Sequence, residues 1–145
     1  MIRAKTSKEI NWSWIMRARK DIYKISIDLD GTISEYPEFF KQFSKAMAEA
    51  GCKIYIVTDR EPGTEAQVKD ELQNYGITYH TIEITGDKLS YILGQGIGVL
   101  FDDVDHYFVD LPEEVAVFKV RQKYNFDFSQ KRWKTASRGP PMPDA

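Results

Sequence analysis

The chain is nearly without cysteine: Cys52 is the only one in 145 residues, so no internal disulfide can staple the fold, and a reducing cytoplasm is the expected setting. No apolar run approaches the roughly 20 residues that a membrane-spanning helix needs, and no charged, apolar and small-residue leader opens the chain. The expectation is a soluble protein. Histidine is scarce too. His80 and His106 lack the partners and the spacing of a metal site, which leaves them as solvated or core side chains. What is present is a 42% hydrophobic composition, enough for one properly built core and too little chain for two.

Charge is unevenly spread beneath a net −2. Arg3, Lys5, Lys8, Arg17, Arg19 and Lys20 face only Glu9 and Asp21 at one end, and Lys131, Arg132, Lys134 and Arg138 face only Asp144 at the other. The middle is therefore strongly acidic, which suits a cation before a polyanion. Basic ends can steer a nucleic acid toward a domain, although solvated termini are the plainer reading.

Periodicity organises the chain. Thr6-Ser7-Lys8-Glu9 has capping-box form ahead of Ile10, Trp14 and Ile15, which predicts a short amphipathic helix. Tyr23 to Asp28 reads as a strand ending in a carboxylate. From Pro37, the spacing of Phe39, Phe40, Phe43 and Met47 predicts a helix that Gly51 stops, and Lys53 to Val57 is the next strand. Val68 and Leu72 mark a helix closed by Gly76, Tyr79 to Ile84 a strand, Lys88 to Leu93 a helix, Ile97 to Phe101 a strand, and Val115 to Val120 a last one. Strands alternating with helices of this length give an α/β fold, a three-layer Rossmann-like domain with a mostly parallel central sheet. Its ligand site belongs at the carboxyl ends of the strands. The tail from Ser137, with Gly139-Pro140-Pro141, has too little apolar surface to pack and is expected to be disordered.

Asp28-Leu29-Asp30-Gly31-Thr32 follows the first strand directly, so both carboxylates emerge at that edge. A calcium loop of the EF-hand type is excluded because Ile33 stands where such a loop needs glycine and Phe39 where it needs glutamate. A phosphoacceptor receiver domain is excluded by order: the second acidic cluster, Asp102-Asp103, comes after both Thr58 and Lys88.

The order that remains resembles the four motifs of the haloacid dehalogenase superfamily, over residues 23–110. The motifs are Ile25 to Thr32, Ile54-Tyr55-Ile56-Val57-Thr58, Lys88, and Val99-Leu100-Phe101-Asp102-Asp103. The resemblance implies a magnesium-dependent phosphomonoester hydrolase working through an aspartyl-phosphate on Asp28. It implies Asp30 as general acid and base, and Mg2+ held by Asp28, Asp103 and the carbonyl of Asp30, with Asp105 a lesser candidate. Thr58 and Lys88 are implied on the phosphoryl group, with Asp102 orienting Lys88 or a metal-bound water. Arg60, in Thr58-Asp59-Arg60-Glu61, would grip phosphate, or else pair with its acidic neighbours on the surface.

No cap domain fits between Thr32 and Lys53 or between Thr58 and Lys88. By resemblance, an open site favours a phosphorylated substrate that is either a nucleic-acid end or a small molecule enclosed by the neighbours of an oligomer. The expected organisation is a helical extension over 1–21, a haloacid-dehalogenase-like catalytic domain over 22–129 and a basic, proline-containing tail over 130–145. The competing functions are a phosphotransferase, or a non-catalytic module of the same fold that binds nucleic acid or protein. Trp12, Trp14 and Trp133 could stack on bases, while an amphipathic helix more often buries such residues.

Overall fold

A strand covered on both faces buries consecutive side chains, and two stretches of this chain do so. These are β1 (Lys24–Ile27), where Ser26 is buried between Ile25 and Ile27, and β2 (Lys53–Thr58), with the run Ile54-Tyr55-Ile56-Val57, two of the inner strands of a five-stranded sheet. The computed structural model describes residues 23–134. Helix α1 (Pro37–Glu49) joins β1 to β2, α2 (Glu65–Tyr75) joins β2 to β3 (Thr81–Ile84), and α3 (Lys88–Gln95) joins β3 to β4 (Val99–Asp102). Strand β5 (Ala116–Lys119) then lies on the outer side of β4.

The strand order is β3-β2-β1-β4-β5 and every pairing in this sheet is parallel, with Ile27 opposite both Ile56 and Phe101. The chain thus winds outward from β1 to β3, crosses back, and resumes beside β1 with β4. Between β1 and β4 the winding reverses, which is where the ligand crevice of a doubly wound sheet lies.

Two cores cover the two faces. Ile25, Ile27, Ile54 and Ile56 pack with Phe40 of α1 and with Val68 and Leu72 of α2, while Phe43 of α1 meets Phe101 edge-on. Tyr55, Val57 and Leu100 pack with Ile92 of α3 on the other face. The alternation of a strand decides which polar residues go where. Ser26 and Asp28, like Leu100 and Asp102, follow the α3 side.

Helix ends are chemically marked. Pro37 opens α1 at a position where a missing N–H costs nothing, Asp87 caps α3 by accepting from the Ser90 amide at 3.1 Å, and Gly76 closes α2 at φ 75°. The Asp87 cap fixes Lys88 as the first residue of α3, directed at the sheet edge.

This is the single α/β domain with a parallel sheet flanked by helices expected from the sequence pattern, and one helix, or one helix and a strand, fills each interval where a cap domain would sit. The folded chain runs on beyond residue 129: β6 (Phe126–Asp127) and β7 (Arg132–Trp133) form an antiparallel hairpin. The helix expected around Ile10 to Ile15, with Trp12 and Trp14, and the tail from Ser137 lie outside the described residues. No helix among the described residues is long and apolar enough to cross a membrane.

Leu72 is fully buried between α2 and the sheet, whereas Leu93 on α3 is half exposed. Leu72→Ala should therefore lower the unfolding free energy by about 2–5 kcal/mol, and Leu93→Ala should change it by roughly 0.5 kcal/mol or less, as read by urea denaturation.

Candidate functional site at the strand reversal

The crevice between β1 and β4 is lined by carboxylates. Asp28 leaves the end of β1, Asp102 closes β4 and Asp103 follows it, all three are buried, and an oxygen from each lies within 4.8 Å of the others. Lys88 descends from α3 into the same space, 1% exposed. Its Nζ donates to Asp28 Oδ1 at 2.7 Å and to Asp102 Oδ2 at 2.9 Å.

Each acid is held by further donors. Thr32 Oγ1 donates to Asp28 Oδ2 at 3.2 Å across the tight turn that Gly31 permits at φ 85°. Asp102 Oδ1 accepts the main-chain N–H groups of Asp103 and Val104 at 2.8 and 3.0 Å. Asp103 Oδ2 accepts from Gln122 Nε2 at 2.7 Å, and Asn125 Nδ2 donates to the Asp103 carbonyl at 2.9 Å.

Three carboxylates with one ammonium leave the buried group short of positive charge, and proton affinities register the deficit. Burial, then the Asp102 carboxylate, raises the Asp28 carboxyl well above its usual range against the opposing pull of Lys88. Burial likewise pushes Asp103 up to about 6, although a hydrogen bond shared with Asp28 works against that rise. Burial alone would lower Lys88; the Asp28 and Asp102 carboxylates outweigh it and hold the ammonium charged.

The aromatic ring of Tyr107 covers the site, 4.4 Å from Lys88 Nζ, and its hydroxyl is hydrogen-bonded to Asp59 in the loop after β2. Thr58 ends β2 fully buried, with no hydrogen-bond partner for its hydroxyl and no bond joining it to the acid cluster. Asp30 is turned elsewhere. Both its oxygens accept from Arg60, at 2.8 and 2.9 Å, and Arg60 also pairs with Glu71 of α2.

The structure thus brings together Asp28, Lys88, Asp102 and Asp103 from the residues singled out in the sequence, and leaves the Asp30 carboxylate and Arg60 engaged with each other. Asp102 sits directly on Lys88 and belongs to the acid cluster itself. Asp105 pairs with Lys119 at 2.5 Å, outside that cluster. His80 serves the fold, its Nδ1 accepting from the Ile54 amide at 2.9 Å, and Trp133 is exposed with Lys119 Nζ over its ring. Gln122, Asn125 and Tyr107 were not foreseen as site residues. Gln122 and Asn125 stand 19 and 22 positions beyond Asp103, and only their burial marks them.

The donors around the crevice are hard oxygens, the kind that magnesium accepts, and a dication would cancel the excess negative charge. Asp28, Asp102 and Asp103 are the residues that could hold it.

No family model matches the chain and no curated protein matches it. Among solved structures, a universal stress protein in complex with cAMP aligns with 68% of this chain and 95% of its own, at 15% identity and a TM-score of 0.42. Membership of the haloacid dehalogenase superfamily, expected from the motifs, is corrected accordingly: no model of that superfamily matches, and the aligned structure is a universal stress protein. The phosphomonoester hydrolase activity, its aspartyl-phosphate, the enzyme class, the phosphotransferase and the binding module of that fold fall with the membership. The physical reason lies in the motifs. After the first, each is one or two polar residues at a strand end or helix start, where any doubly wound sheet gathers them. The Asp30 carboxylate, expected to move a proton, is instead fixed by Arg60.

In the presence of a chelator, the folded state keeps protons on Asp28 and Asp103 that the unfolded chain has released. Between the ordinary aspartate range near 4 and the Asp103 value of about 6, the native state binds more protons, so stability should fall as pH rises through that window. Asp103→Asn should flatten this dependence when thermal midpoints are compared from pH 4 to 7.

Proposed function

We propose that this protein binds a phosphorylated small molecule through a divalent cation, Mg2+, held at the strand reversal by Asp28, Asp102 and Asp103. The observation that carries this reading is the buried charge deficit: three carboxylates face one lysine where solvent cannot compensate them. Protons can relieve such a deficit, and a dication relieves it without raising any carboxyl out of its ordinary range.

Phosphate enters the proposal through the ion. Magnesium held by two or three carboxylates keeps open positions, which phosphate oxygens fill in many such sites. The crevice outside the carboxyl ends of a doubly wound sheet is also where ligands of this fold class settle. Thr58, with its unpartnered buried hydroxyl at the same edge, is a candidate donor to the ligand. The near-complete burial of Asp28 and Lys88, with the Tyr107 ring over the Lys88 ammonium, favours a small ligand over the end of a nucleic-acid strand. A reducing cytoplasm is the setting we infer, in keeping with Cys52 as a buried free thiol.

Titration of Mg2+ into the chelator-treated full chain at pH 7.5 should show binding by calorimetry, weakened at least about tenfold in Asp28→Asn and in Asp103→Asn. Inorganic phosphate should then bind only with Mg2+ present. Absence of Mg2+ binding at millimolar concentration, with the chain folded, would remove the reading.

A further inference from the structure

On one side the five-stranded sheet ends in β5, whose outer edge is open among the described residues. The main-chain N–H groups of Ala116 and Val120 donate inward, to the Gly98 and Asp102 carbonyls at 2.9 Å each. Main-chain groups alternate in direction along a strand, so those of Val117 and Lys119 face outward. Strand β5 pairs with β4 alone, and no other described residue bonds the outward groups. Such an edge is a template for a further strand unless something blunts it. No proline interrupts β5, its register with β4 is continuous, and Lys119, the one charge within it, is turned to Asp105 and the ring of Trp133.

The two ends of this strand carry opposite charges. Glu113 and Glu114 precede it and Arg121 follows it, all three exposed and without an ion pair among the described residues. Arg121 rests against the rings of Phe126 and Phe128, which leaves its charge unneutralised. An antiparallel copy of the same strand, centred on Val117, complements this edge at every level. The two Val117 residues exchange main-chain hydrogen bonds, and the Glu113-Glu114 end of each strand lies alongside Arg121 of the other. Phe118, 52% exposed and stacked on Phe101, falls opposite Ala116, so the largest side chain of the strand meets the smallest. A parallel, in-register copy would set like charges together. The other edge strand, β3, holds Glu83 and no lysine or arginine, so two copies paired there would bring acid to acid.

We propose that β5 is the contact of a two-fold homodimer, in which the outer edges of two copies pair antiparallel and two five-stranded sheets join into one. The occupant is a second copy of this chain because the edge is complementary to itself: main chain, side-chain size and charge all match under a two-fold axis. The inference stands apart from the cation reading, since none of Asp28, Lys88, Asp102 and Asp103 belongs to that edge.

The test is the mass of the full chain in solution, by sedimentation equilibrium between about 1 and about 100 μM. The wild type should be dimeric at the upper end. Val117→Pro removes an N–H that faces outward, a change that an edge strand tolerates, and should leave a folded monomer. Arg121→Glu should weaken association by about tenfold or more, because the two-fold axis applies the change twice. Adding Glu113→Arg and Glu114→Arg to Arg121→Glu exchanges the charges and should bring the dimer back. A wild type that stays monomeric would leave the edge to a different chain or segment and overturn the proposal. A dimer that survives Val117→Pro, an Arg121→Glu dimer as tight as the wild type, or an exchange that restores nothing would overturn it equally. If circular dichroism shows Val117→Pro unfolded, Arg121→Glu and the charge exchange decide.

Discussion

The rest of the site depends on one buried ammonium. Lys88 meets Asp28 and Asp102 where water is excluded, and each partner makes the burial of the others tolerable. Asp28 belongs to β1 and Asp102 to β4, while Lys88 belongs to a helix on one face of the sheet. The ion pairs therefore tie the two strands at the winding reversal to α3, just beyond the last main-chain bond between them, from the Asp28 N–H to the Phe101 carbonyl.

Around that centre the acids are sorted by their partners more than by their positions in the chain. Asp30 stands two residues from Asp28, yet its carboxylate is bound to Arg60 of the loop after β2, and Arg60 is bound to Glu71 of α2. Gly31, at positive φ, turns the chain between them. A separation of two residues thus divides a buried acid paired with Lys88 from a part-exposed acid locked in a guanidinium fork.

Much of this was legible in the sequence, for identifiable reasons. The strand and helix alternation, the stops at Gly51 and Gly76, and the arrival of Asp28, Lys88, Asp102 and Asp103 at one edge all follow from local periodicity and the geometry of a parallel sheet. The hairpin of β6 and β7 was not legible, since two strands of two residues each carry almost no periodic signal. Gln122 and Asn125 escaped notice because an amide acquires its role only from the group it meets, and no spacing announces that meeting. The Arg60 clamp was a different case: pairing with acidic neighbours was weighed, but the partners are Asp30 and Glu71, which the fold brings from either side. The superfamily assignment failed where short motifs were asked to separate chemistry from topology.

The tether of Tyr107 to Asp59 bears on kinetics as well as shape. The ring lies over the lysine and is moored to the loop after β2, so the ammonium that joins Asp28 and Asp102 is covered from that side. Under the cation reading, a ring moored in this way would make entry depend on release of that contact, and association would then run slower than the limit set by diffusion.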